Sequence, residues 1–172
     1  MTQRTPLPHA IASCLLAVLV TACSQTVTTP IESAHAAPPL KAAEATAPKI
    51  IVHRDAYCGC CHLWVEHLRG HGFDVDDRIE DDMGAVKKRL DIAPEHASCH
   101  TAEIGGYVVE GHVPASDIRR LLKERPRIHG IALPGMPIGS PGMEVEGIDA
   151  EAYTVLALGH DGTTSTYTRH GP

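Results

Sequence analysis

The chain has 172 residues, 21 of them acidic against 15 Lys and Arg, a formal net charge of −6 and only 3% aromatic residues. Its basic residues are scattered or interleaved with acids and form no stripe, which argues against nucleic acid as a partner. Six cysteines in so short a chain turn attention to thiol and metal chemistry.

At the N-terminus, Arg4 precedes an apolar run from Ala10 to Val20, long enough for a signal-peptide core and too short to cross a bilayer. Val20-Thr21-Ala22-Cys23 is similar to the lipobox of bacterial lipoproteins, so cleavage is expected to leave Cys23 as the acylated first residue. Ordinary secretion, with cleavage after Ala34-His35-Ala36, is the alternative. The expected organisation is therefore a lipoprotein-type signal peptide over 1–22, a flexible Ala/Thr/Pro tether over 23–48 and one compact domain over 49–172. The expected address is the periplasm, with a lipid anchor to the outer membrane as the only membrane contact.

Within the domain, Ile50–His53 reads as a short strand, and Leu63, Trp64, His67, Leu68 and His71 recur at helical spacing up to Gly70 and Gly72. Phe73–Ile79 alternates as a second strand, Met83–Leu90 follows as a helix, and Pro94 closes that unit. Thr101–Ile104 and Tyr107–Val113 read as two strands joined by a Gly105-Gly106 hairpin turn. Pro114–Arg125 is a third helix with proline in its first turn. A Gly/Pro/Met loop over Ile131–Gly147 then leads to a hairpin of Tyr153–Leu158 and Thr163–Thr168. This α/β order, βαβαββα with a C-terminal loop and hairpin, is that of a thioredoxin-like domain.

Four cysteines remain once Cys14 leaves with the signal and Cys23 is lipidated: Cys58, Cys60, Cys61 and Cys99. Three of these fall in Cys58-Gly59-Cys60-Cys61, a clustering that a framework of disulfides stapling distant segments does not need. Cys58 and Cys61 stand in the Cys-x-x-Cys relation of thioredoxins at a strand-to-helix junction, where free amides and the helix dipole favour thiolate. They are the candidate redox pair. Cys60 adds a third sulfur, and adjacent thiolates favour a soft, bridging metal ion. Cys99-His100 stands just before the third strand, where thioredoxins place a proline against their cysteine pair, so Cys99 is expected to face the cluster. Met136 and Met143 have no periodic core slot, and their thioethers suit Cu(I). The candidate metal ligands are Cys58, Cys60, Cys61, Cys99, His100, Met136 and Met143. A structural disulfide, Cys58 to Cys61 or Cys61 to Cys99, and a zinc site are the competing readings of the cysteines. Gap-filling is the competing role for both methionines. His62 shares the advantage of a cysteine neighbour, and His112 is open between ligand and structural roles. An exposed helix face is expected for His67 and His71, and surface or turn positions for His53, His96, His129 and His160.

The segments CGCC, SCHTAEIGGYVVEGHVPASDIRRLL and GIALPGMPIGSPGME, with the terminal hairpin, make the chain resemble bacterial copper-resistance proteins of the CopG type, long catalogued as a domain of unknown function. The resemblance covers most of Ile50 to Tyr167. It implies a thioredoxin-like domain outside the cytoplasm, copper binding through Cys58, Cys60, Cys61 and Cys99, and a role in interconverting Cu(I) and Cu(II). Copper is then the substrate as well as the cofactor; the clustered thiolates lead us to expect more than one Cu(I) ion, with a copper efflux system or another periplasmic copper protein as the expected partner. A thiol–disulfide oxidoreductase acting on proteins and a passive copper chaperone are the other two function classes. The lipobox and tether lie outside the resemblance.

Overall fold

The computed structural model describes residues 47–172; the expected signal segment, Cys23 and the tether up to residue 46 lie outside the described residues. A seven-stranded sheet runs through the domain in the order β2-β1-β3-β4-β5-β6-β7. Strand β1 (Lys49–Arg54) crosses over through helix α1 (Gly59–Gly70) to the parallel strand β2 (Asp74–Ile79). Helix α2 (Met83–Arg89) starts on Asp82, whose carboxylate accepts the Ala85 N–H. The chain then passes a 3-10 turn at Pro94–His96 and enters strand β3 (His100–Ile104), antiparallel to β1. Gly105 and Gly106, both at positive φ, turn it into strand β4 (Tyr107–Glu110). Helix α3 (Ala115–Glu124) completes a thioredoxin-like core with its four strands in the order β2-β1-β3-β4.

Three boundaries differ from the sequence reading. Strand β4 stops at Glu110 and not at Val113, because Gly111 leaves the extended region at φ +73°. Pro114 is the residue before α3, with φ −60° and ψ 141°, and not part of its first turn. The expected loop from Ile131 begins instead as a short strand β5 (Gly130–Ala132), parallel to β4, which carries the sheet on to β6 (Tyr153–Leu158) and β7 (Thr164–His170). Three residues are too few for a period, so a buried strand of that length gives no pattern to read.

The two faces of the sheet follow from alternation along its central strands. Val109 and Ile131 join Trp64, Leu68, Ile118 and Leu121 in the main core, under α1 and α3. Their neighbours Val108 and Ala132 point the other way and pack with Ile92, Leu158 and the partly buried Leu90. Two histidines expected at the surface are anchored in this frame. His53 is buried on β1, with Nδ1 2.5 Å from Glu80 and Nε2 3.0 Å from Glu103. His67 is half-buried and accepts the Ala115 N–H, so it ties α1 to the start of α3. Burial, with His71 alongside, lowers its pKa to about 4.

Ile131 is fully buried, so Ile131→Ala is expected to cost about 2–5 kcal/mol of stability by denaturant unfolding. A loss under about 0.5 kcal/mol would return the segment to a surface loop.

Candidate metal and thiol centre

Helix α1 opens on Cys58 as its N-cap, with no side-chain cap and no acidic residue in its first turn, so the positive end of the helix faces the cysteines. The first turn brings Cys61 back beneath Cys58, and the two form a disulfide with Cα atoms 5.3 Å apart. Cys60 and Cys99 are free thiols. Cys60 Sγ lies 3.5 Å from Cys58 Sγ and 4.0 Å from Cys99 Sγ. The expectation that Cys99 faces the cluster therefore holds in the geometry, and all four sulfurs lie within 4.8 Å of one another.

Cys99 also belongs to a second group. Its Sγ is 3.3 Å from His100 Nδ1 and 3.1 Å from His112 Nε2, and both rings are fully buried. The far nitrogen of each ring is held by a carbonyl, His100 Nε2 by Gly111 O at 2.9 Å and His112 Nδ1 by Pro141 O at 2.8 Å. A carbonyl can only accept, so those nitrogens carry the protons, and Nδ1 of His100 and Nε2 of His112 present lone pairs to the sulfur. Such outer hydrogen bonds fix tautomer and ring orientation as they do around metal-ligating histidines. Trp64 closes the back of the site, its ring centroid 4.3 Å from that of His100 and its indole N–H donating to Val113 O at 2.9 Å.

The electrostatics keep this interior neutral. Burial, then the neighbouring Cys60, pushes the Cys99 thiol up to about 12. Burial holds His100 well below the ordinary histidine value, with His112 adding to the effect, and burial likewise lowers His112. At neutral pH the imidazoles are therefore uncharged and ready to ligate, and Cys99 keeps its proton until a cation displaces it.

Glycines let the surrounding loops approach. A Cβ on Gly111 would lie 2.4 Å from Leu133 O and 2.8 Å from Ser98 Cβ, and one on Gly142 would lie 2.9 Å from Trp64 N and 3.0 Å from Cys60 O. The loop over 133–151 is thus docked on the first turn of α1. It is tied to the other side of the site where Ser98 Oγ donates to Gly135 O at 2.6 Å. Met136 and Met143 each follow one of these docking glycines. Met136 is half-exposed, Met143 is partly buried, and neither joins a hydrophobic cluster of the described residues. His62 is exposed and lies outside both donor groups. His112 is the donor that spacing did not single out, because thirteen residues and a hairpin separate it from Cys99.

Fold and site together define a thioredoxin-like α/β protein with a Cys-x-x-Cys disulfide embedded in a soft-donor cluster. A family model described as a protein of unknown function, DUF411, matches residues 96–143. Two solved structures of copper resistance protein CopG are similar to this chain. Form 2 is 49% identical with a TM-score of 0.69, covering 72% of this chain and 98% of its own. Form 1 is 48% identical with the same TM-score, covering 73% and 99%. No curated protein matches the sequence. The chain belongs to the CopG family.

The high pKa of Cys99 has a measurable consequence. In metal-free protein with the Cys58–Cys61 disulfide intact, its alkylation rate is expected to climb roughly tenfold per pH unit past about pH 10, since only thiolate reacts. Mass spectrometry of the alkylated Cys99 peptide reads this, and a plateau near about pH 9 would show an ordinary thiol.

Proposed function

We propose that the chain is an extracytoplasmic copper-binding protein of copper resistance, which binds more than one Cu(I) through Cys58, Cys60, Cys61 and Cys99 and interconverts Cu(I) and Cu(II). The observation that carries this reading is the convergence of four sulfurs within 4.8 Å, two of them a disulfide. With the pair reduced, three sulfurs at a helix N-terminus and a fourth opposite can give up their protons to incoming cations, and soft sulfur selects Cu(I) over hard ions. His100 belongs to the ligand set, and His112 joins it on the same sulfur. The names of the similar structures, copper resistance protein CopG, support the choice of copper.

The redox step balances within the site. Reduced Cys58 and Cys61 give up two electrons and two protons to form their disulfide, and two Cu(II) ions each take one electron to become Cu(I). The reverse step regenerates the thiols. Export by the 1–22 segment, lipid at Cys23 and a periplasmic address with anchoring to the outer membrane complete the proposal, with an efflux system or a second periplasmic copper protein as the recipient. The Cys58–Cys61 disulfide also favours a second reading, thiol–disulfide exchange on protein substrates.

Reduced protein is expected to bind at least two Cu(I), each Cys→Ser change at 58, 60, 61 or 99 lowering that number. Adding Cu(II) should yield two Cu(I) for each disulfide formed. Chelator competition, thiol counting and X-ray absorption at the copper edge measure these quantities. One copper or none, with Cys60→Ser behaving as wild type, would favour the protein oxidoreductase.

A separate expectation concerns the loop. Replacing Met136 and Met143 together by Leu keeps their volume and removes their sulfur, so Cu(I) affinity should drop while apo thermal stability stays level. Unchanged affinity would leave both thioethers as spacers.

A further inference from the structure

Beneath the cysteine centre lies a charged pair that takes no part in it. Glu110, the last residue of β4, is fully buried, and its Oε1 lies 2.5 Å from Lys87 Nζ on α2. The same oxygen accepts the Ser98 N–H at 2.5 Å, while Oε2 accepts the Thr101 hydroxyl at 2.6 Å. Lys87 also donates to Thr101 Oγ1 at 2.9 Å. A buried ion pair adds little net stability, because desolvation offsets the attraction, so its placement calls for another explanation. That placement is specific: the carboxylate grips the backbone of the residue before Cys99. Ser98 is then held at both ends, by its N–H on Glu110 and by its hydroxyl on Gly135 O. On the other side of Cys99, His100 is fixed on Gly111 O.

We propose that Glu110, charge-balanced by Lys87, is a positioning residue for Cys99: it pins the Ser98 backbone so that the Cys99 sulfur faces Cys60 and the two imidazoles. Without that grip the turn between the 3-10 segment and β3 gains freedom, and Cys99 swings out of the cluster. The inference concerns where Cys99 is held and stands whether or not copper is the ligand; only the copper arm of its test rests on the proposed function.

Two double variants separate the charge of the pair from the hydrogen bonds that Glu110 accepts. Glu110→Gln with Lys87→Met removes both charges and keeps an amide oxygen for the Ser98 N–H, whereas Glu110→Leu with Lys87→Met removes the acceptor at similar volume. In reduced, metal-free protein, iodoacetamide alkylation of Cys99 should remain within about twofold of wild type in the first and rise about tenfold in the second, with Cys60 changed less than about twofold in both. Cu(I) affinity should be about tenfold lower in the second than in the first, and adding Cys99→Ser to each should abolish that difference, as coupling through Cys99 requires. Equal Cys99 rates in the two variants, or equal acceleration at Cys60 and Cys99, would overturn the inference and leave the pair as a support of the fold. If wild-type protein binds no Cu(I), the copper function falls and the alkylation rates alone decide the positioning role. Should the leucine variant not fold, Ser98→Pro deletes the same N–H from the other side, after an Ala97 backbone already at φ −65° and ψ 141°, which a following proline requires. Proline also lacks the hydroxyl held on Gly135 O, so Ser98→Ala is the control: faster Cys99 alkylation in Ser98→Pro than in Ser98→Ala supports the role, and equal rates overturn it.

Discussion

The contact between Gly111 and Ser98 is the constraint on which the rest of the centre depends. No side chain fits at Gly111, since a Cβ would overlap both Leu133 O and Ser98. Its left-handed φ ends β4 and turns the chain, so that three successive residues serve the site in different ways. Glu110 holds the Ser98 backbone, Gly111 gives its carbonyl to His100, and His112 reaches Cys99. Val113 then takes the Trp64 indole, which locks α1 and its cysteines against the same strand end. The centre is thus assembled by one turn at the end of a central strand, with the antiparallel β3–β4 ladder setting the register of Cys99 against it.

Burial gives this assembly its chemical character. Burial favours the uncharged forms of the sulfur and the two imidazoles, which is why Cys99 keeps its proton and both rings lose theirs. Under the proposed function the site is set for a cation: loading exchanges the Cys99 proton for a metal and converts a buried thiol into a thiolate ligand. The state of the Cys58–Cys61 pair sets how many thiolates can form, two when it is oxidised and four when it is reduced. Metal capacity and electron count are then coupled through one covalent bond.

Much of this was legible from residues alone, and the limits have physical causes. The order of strands and helices through α3 came from apolar periodicity and from glycine and proline punctuation, and the terminal hairpin from its turn. Cys-x-Cys-Cys with Cys99 marked the sulfurs, because thiol clustering is visible in one dimension. Strand β5 was not visible, since three buried residues inside a Gly/Pro-rich stretch carry no period. His53 reads as a surface residue because its two carboxylate partners, Glu80 just past β2 and Glu103 on β3, are 27 and 50 residues away in the chain. His112 was left open for the same reason: its meeting with Cys99 depends on hairpin register and on the positive φ of Gly111, and neither is written in spacing. Residues that meet through a register shared by distant strands are those that sequence pattern leaves undetermined.

The C-terminal loop shows how a segment without regular structure becomes part of a site. Its attachments are backbone to backbone or side chain to backbone: Pro141 O to His112, Gly135 O to Ser98, and Gly142 against the carbonyl of Cys60. Contacts of that kind fix the path of the chain and leave its side chains uncommitted, which is why Met136 and Met143 can flank the docking points without filling the core. Internal hydrogen bonds from Gly139 to Met143 O and from Glu151 to Ile138 O close the loop on itself, so it is held as a unit. Under the proposed function this resolves what would otherwise be a conflict between burial and access. Burial keeps the Cys99 thiol protonated and Cys61 is fully buried, yet an ion must reach both from water. Under that reading, the half-exposed thioether of Met136 and the partly buried one of Met143 stand at two depths of a loop docked on the cluster's own helix turn, where soft donors would let an ion shed water in steps.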